Sequence, residues 1–217
     1  MAGKRKAREQ LSRERVLRAA LRLVDRHGLE ALSMRKLAQE LGVEAMSLYN
    51  HVENKQDIVA GILDLVGEEV DPPAEGLDWK TALRERAIAA HEAFVRRPWA
   101  ARIWMSSSRP GPERFADGDA VLRCLRKAGF SPGLTYRAFH LLEGYTLGYT
   151  LQQSDFPYSG KELEKIAERF LRDFPADDYP YLAEHIGQHL EPHEEAGSFE
   201  FGLDLILDGL QRLRDAG

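Results

Sequence analysis

Apolar residues recur along the chain at intervals of three and four. Val16, Leu17, Ala20, Leu21 and Val24 make one such face; Ile58, Val59, Ile62, Leu63 and Val66 make another. At 3.6 residues per turn these positions share one side, so the spacing predicts amphipathic helices. Strict alternation, the mark of a half-buried strand, persists nowhere. The fold class read from this pattern is all-α.

Punctuation sharpens the boundaries. Ser12 is placed to cap a first helix that Gly28 ends, and Ser33 to cap a second that runs to Leu41 before Gly42. A third helix is predicted from roughly Ala45 to His51, and Asn54 caps a fourth over 55–70. The run "DPPAEG", Asp71 to Gly76, is the clearest break, because proline and glycine do not continue a helix cheaply. It divides residues 1–70, including the connecting helix 55–70, from a second domain over 77–217. Further helical patterns lie near 79–97, 99–107, 113–129, 132–154, 160–173, 179–190 and 198–214.

The stretch "LAQELGVEAMSLYNHVENKQDIV" joins two short helices through a turn holding Gly42, which is the form of a helix-turn-helix. Leu37, Leu41, Val43, Leu48 and Val52 supply a shared core, with the small Ala38 at the crossing. Exposed on the second helix would then be Ala45, Met46, Ser47, Tyr49, Asn50 and His51, within reach of base edges and phosphates in a major groove. Lys55 follows, where a phosphate could meet it. Charge supports this end of the chain. The whole chain of 217 residues carries −5, yet residues 1–60 hold 12 Lys/Arg against 8 Asp/Glu. A basic head on an acidic body fits a polyanion partner at one end only.

Residues 12–66 resemble the DNA-binding head of the tetracycline repressor (TetR) family. The run "SMRKLAQELGVEAMSLYNHVENKQDIV" carries its features: Arg-Lys-Leu-Ala, then Leu-Gly-Val, then Leu-Tyr-x-His-Val-x-x-Lys. "FSPGLTYRAFHLLEGYTLGYTLQ" and "SFEFGLDLILDGLQRL" resemble late helices of the family's tetracycline-sensing members. The resemblance implies a helix-turn-helix DNA-binding domain followed by a helical effector-binding and dimerisation domain. It implies that Arg35, Tyr49, His51 and Lys55 touch DNA, with Tyr49 and Lys55 on phosphates and Arg35 and the Ala45–Ser47 edge toward bases. Lys36 and Asn50 belong to the same surface. It also implies a double-stranded operator, a small-molecule effector and a homodimer as partners.

In the last helix Phe199, Leu203, Ile206, Leu210 and Leu213 fall at spacings of 4, 3, 4 and 3, an a/d seam. With Phe139 and Gly148 from the 132–154 helix they could pair two subunits in a four-helix bundle. They could equally fill an intrachain core; the resemblance favours the interface. The effector side chains expected in the body are His91, Phe94, Trp104, Met105, Arg109, Phe115, Phe139, Leu142 and Tyr145, large groups around an apolar pocket with a few polar atoms. The tetracycline-sensing members read their drug through magnesium held with histidine and carboxylate help. Here Trp104 and Met105 stand before "SRP", where a histidine would be wanted, and Gln152 stands at the acidic position. A hard cation wants charged oxygen ligands. No cofactor is expected, and the effector should be apolar or aromatic, bound without an obligatory metal.

Other chemistries fare worse. Cys124 is the only cysteine, so no intrachain disulfide exists and a reducing cytoplasm, at the nucleoid, fits. No apolar run is long enough to span a bilayer, and arginines interrupt any signal-peptide core. His185, His189 and His193 lie at helical spacing, but Pro192 breaks the helix before the third, which favours surface histidines over zinc. There is no Gly-rich phosphate loop and no paired-carboxylate or Cys/His signature of an enzyme. The competing readings are an effector-independent DNA-binding protein and a helical interaction protein.

Overall fold

The computed structural model describes residues 10–104, 106, 111–156, 160–190 and 199–217. Those residues form helices and short 3-10 turns, with no strand among them.

The head begins with α1 (Arg13–His27), capped by the Ser12 hydroxyl, which accepts from the Arg15 N–H. Glu14 in its first turn and Arg26 and His27 in its last suit the helix dipole. Next come α2 (Met34–Leu41), α3 (Ala45–Leu48) and α4 (Lys55–Gly67). Gly42 sits between α2 and α3 at φ 65° and ψ 38°, a left-handed turn that few side chains tolerate. α1 packs on both α2 and α4, and α2 on α3. Val16, Leu37, Leu48 and Ile58 are fully enclosed between them. Each such side chain contributes roughly 1.5–3 kcal/mol of burial.

Two boundaries differ from expectation. α3 stops at Leu48, because the N–H groups of His51 and Val52 both turn back to the Leu48 carbonyl. Tyr49 to His51 therefore form a turn. α4 stops at Gly67, with turns and extended chain over 68–78.

The body comprises α5 (Trp79–Arg96), α6 (Pro98–Trp104), α7 (Pro112–Lys127), α8 (Pro132–Asp155), α9 (Gly160–Arg172), α10 (Pro180–Gly187) and α11 (Phe199–Asp215). α8 is the hub, with α5, α6, α7 and α11 all packed against it. α4 belongs to both regions. Its Ile58 and Ile62 sit in the head's core, whereas Leu63 and Val66 join Phe94, Trp104 and Leu147 in the body's. Arg97, at the α5–α6 corner, ties the two together: it donates to Asp25 of α1 at 3.2 Å and to Glu69 beyond α4 at 2.7 Å. The Trp99 indole also donates to Asp25, at 3.2 Å.

The predicted seam on the last helix requires correction. Phe199, Leu203 and Leu210 are buried inside the same chain, against Leu83, Leu134 and Leu142 among others. Ile206 packs against that cluster as well, and Leu213 is exposed at 60%. An a/d spacing identifies a helix's apolar stripe and not the chain that covers it. The outward face of α11 instead carries Phe201 and Leu205, 63% and 56% exposed. Beside the inward stripe, Gly202 leaves room for the Tyr145 ring, whose hydroxyl donates to the Phe199 carbonyl at 2.8 Å.

Candidate functional sites

The helix-turn-helix presents its polar groups outward and leaves them uncommitted. Met46 and Tyr49 are 75% and 48% exposed; Arg35, Lys36, Asn50 and Lys55 are exposed too, and Ala45, Ser47 and His51 are half-buried. The side chains of Arg35, Lys36, Tyr49, Asn50 and Lys55 have no hydrogen-bond or ion-pair partner among the described residues. What holds this surface in place lies behind it. The Ser33 hydroxyl caps α2 by accepting from the Lys36 N–H at 3.2 Å, which fixes the turn that carries Arg35 and Lys36. Asn54 caps α4 by accepting from the Asp57 N–H at 2.9 Å. The Asp57 carboxylate in turn accepts two bonds from Arg13, at 2.8 and 2.6 Å, and one from the Glu53 N–H at 2.9 Å. Arg13 also donates to the His51 carbonyl. The start of α4, with Lys55, is thereby fastened to α1. Short helices stand steady here because caps and a forked ion pair restrain their ends.

The sequence-predicted effector residues divide in three. Phe94, Trp104, Phe115 and Phe139 border cavities in the body. Trp104 is buried and meets Phe94 edge to face, with centroids 5.0 Å apart. Phe115 stands at a rim, 63% exposed. His91, Leu142 and Tyr145 are drawn into packing among α5, α8 and α11 instead. The His91 ring stacks on Phe199 at 4.2 Å and lies 2.8 Å from the Thr150 hydroxyl. That hydroxyl donates its proton to the Thr146 carbonyl, so the network assigns the N–H to His91 Nδ1. Burial lowers the His91 pKa, which favours the same neutral ring. Met105 and Arg109 lie outside the described residues, as does His193 of the histidine series.

The charged groups in and beside the body's cavities were not anticipated from the sequence. Arg86 pairs with Asp117 through two bonds, one of 2.7 Å, and both side chains are mostly buried. Glu143, in an otherwise charge-free stretch of α8, is pushed above the ordinary carboxylate range, chiefly by burial. Asp64 on α4 is pushed up for the same reason and accepts from the Gly111 N–H at 3.1 Å. Arg114 stacks over Trp104, 4.3 Å from the ring centroid. The available signal was a lone charge inside an apolar run, as at Asp64 in "ILDLV" and Glu143 in "LLEGY".

A free polar surface on a restrained helix-turn-helix, joined by a shared helix to a helical body with a solvent-open cavity, is the arrangement of a DNA-binding regulator. Residues 16–62 match the family model of bacterial regulatory proteins of the tetR family, and residues 72–214 that of the tetracyclin repressor-like C-terminal domain. The chain belongs to the TetR family of DNA-binding transcriptional regulators. It is 31% identical to the class C tetracycline repressor protein of Escherichia coli, with 94% of this chain and 92% of that one covered. It is 30% identical to the HTH-type transcriptional repressor DrrR1 of Streptomyces coeruleorubidus, over 94% of this chain and 78% of the relative. Among solved structures, ActR from Streptomyces coelicolor in complex with actinorhodin superposes with a TM-score of 0.79 at 29% identity, covering 94% and 99% of the two chains. No helix of the described residues is long and apolar enough to cross a membrane.

Proposed function

We propose that this protein is a cytoplasmic homodimeric repressor, held on a pseudo-palindromic operator and released by a small planar or aromatic effector that needs no metal. The head reads DNA through Arg35, Lys36, Ala45–Ser47 and Asn50, while Tyr49, His51 and Lys55 fix its register on the backbone. The observation that carries the reading is α4, which is core to both the head and the cavity-bearing body.

The second subunit docks on the outward faces of α8 and α11. Phe201 and Leu205 are exposed there, as are Leu141, Gly144 and Gly148 of α8. A Cβ added at Gly144 or Gly148 would meet nothing within 4 Å among the described residues, so their smallness serves no contact there. It suits close approach by another helix. Leu205→Glu should give a folded monomer, whereas Leu210→Glu should unfold the body. Sedimentation and circular dichroism separate the two outcomes.

Release follows from geometry. Gly67 at the end of α4 abuts Trp104, and Asp64 is bonded to Gly111 at the start of α7. An effector that displaces Trp104 or α7 tilts α4 and moves the head. Two heads on one duplex must keep a fixed separation, so a small tilt lowers affinity steeply. A hundredfold loss requires about 2.7 kcal/mol of differential effector binding. The test is selection of binding sites from random duplexes with purified protein, then release by aromatic compounds with and without a chelator. A consensus lacking two-fold symmetry, or release abolished by the chelator and restored by magnesium, would overturn the proposal. Actinorhodin, seen bound to the similar ActR, is a natural first compound.

A further inference from the structure

Two spaces in the body share one wall. Toward solvent lies a cavity of about 380 Å³, bordered by Trp104, Arg114, Phe115 and Phe139 among others. Inward lies a space of only about 30 Å³, bordered by Val66, Phe94 and Leu147 among others. Trp104, Asp117 and Glu143 border both.

The charges around the outer cavity are not equally committed. Asp117 is held by Arg86. Asp119 accepts from Arg123 at 3.0 Å, on the exposed side of α7. Burial pushes the Glu143 carboxyl toward its neutral form. Arg114 differs. Its Nη2 donates to the Trp104 carbonyl at 2.6 Å, but Nε and Nη1 are buried and have no hydrogen-bond partner among the described residues. Asp64 attracts it electrostatically but accepts no bond from it, being bonded to the Gly111 N–H. Buried donors left unpaired are costly, and native structures seldom keep them without use. A guanidinium stays charged in proteins, so these donors call for an acceptor, best an anionic one. The ring beneath Arg114 and those of Phe115 and Phe139 beside the cavity suit a flat partner.

Resting on the effector reading above, we propose that Arg114 receives an acidic oxygen, carboxylate or phenolate, of a planar aromatic effector whose rings lie against Trp104, Phe115 and Phe139. A cationic ligand would face the Arg114 guanidinium, of its own sign. A neutral hydrocarbon would leave both donors unpaired. Arg114 and Trp104 are also the side chains that meet the Gly67 position on α4, at 3.8 and 3.2 Å from where a Cβ would stand. The group that recognises the acid thus lies against the helix that must move.

The experiment titrates the full-length protein with anthraquinone-2-carboxylate and with its neutral carboxamide by calorimetry, following operator release in parallel. The acid should bind about 30-fold more tightly, as expected when an anionic acceptor replaces a neutral one on a charged donor; that factor corresponds to about 2 kcal/mol. Arg114→Met should erase the preference, weakening the acid far more than the carboxamide, and Arg114→Lys should restore part of it, a point charge replacing the fork. Equal binding of acid and amide by the unmodified protein overturns the inference without recourse to any variant. So does a preference that survives in Arg114→Met, or an acid that does not bind at all. Operator release by acid and amide alike would leave the regulatory reading standing while removing this one. Arg114-dependent binding of the acid with no effect on DNA would do the reverse.

Discussion

The head and the body solve opposite problems with charged side chains. In the head, Arg35, Lys36 and Lys55 stand in water with no protein partner among the described residues, and an entirely apolar core lies behind them. In the body, Arg86, Asp117, Arg114 and Glu143 border cavities and Asp64 of α4 is half-buried against the start of α7, and most are paired or displaced from their ordinary titration. A surface that will meet a polyanion keeps its cations hydrated and ready, because counterion release and phosphate contact supply the binding energy later. A surface that will enclose a small molecule must hold its polar groups in a low-dielectric setting beforehand, so that each discriminates strongly. Stability and recognition are therefore separable in the head and entangled in the body.

That contrast can be broken most forcefully in the head's core. Leu48 is fully enclosed. Leu48→Ala should cost about 3 kcal/mol, within the range for leucine deletions in cores. Operator binding should fall with head stability while the body's binding of aromatic compounds persists. Chemical denaturation followed alongside DNA binding checks this; a parallel loss of effector binding would show the two regions to be one cooperative unit.

Gly111→Ala probes the junction. Its Cβ would stand 1.4 Å from Asp64 Oδ2, although its backbone angles suit any residue. The carboxylate must move and the α4–α7 bond must yield, at a cost of roughly 1–3 kcal/mol. Denaturation should register this, and operator affinity should change with no residue of the proposed DNA surface altered. Unchanged operator affinity would mean that this bond carries no signal to the head.

Arg35→Ala should cost roughly 1–3 kcal/mol on the selected operator and relax preference at one position. Lys55→Ala should weaken all sequences alike and flatten the salt dependence by about one unit. Neither should alter thermal stability, which is the sharpest statement of separability. Filter binding over a salt series distinguishes them.

The smallest effect concerns pH. Burial raises Glu143 above its ordinary value of 4.5, against the pull of Arg86, Arg114 and His140 and with the push of Asp117. The folded state then holds this proton more tightly than the unfolded chain does. The associated stability is present below about 4.5 and is lost as pH rises through the raised value. Glu143→Gln cannot titrate, so its stability relative to the unmodified protein should climb over that window and then level off. Denaturation at a series of pH values measures the difference; parallel profiles would remove Glu143 from the buried set.

Local chemistry determined much of this protein in advance. Gly42, Ser33 and Asn54 set the head's turns and caps through backbone preferences that act within three or four residues. The exposed surface from Arg35 to Lys55 follows from those, since whatever the apolar stripe does not claim must face water. The order of helices in the body was legible for the same reason: proline, glycine and a 3.6-residue period announce helices one at a time. What the sequence left open is which stripe meets which partner. Leu203 and Leu210 have the same spacing whether they face α8 of their own chain or a second subunit, and only packing turned them inward and left Phe201 and Leu205 outside. His91 and Tyr145 look like pocket residues in the sequence, and hydrogen bonds to Thr150 and the Phe199 carbonyl across helices fix them in the core. Arg114 and Glu143, 29 positions apart by their numbers, share a cavity because α7 and α8 pack side by side. A lone charge in an apolar run, as at Glu143, hints at burial, but which groups pair and share a cavity depends on the whole assembly.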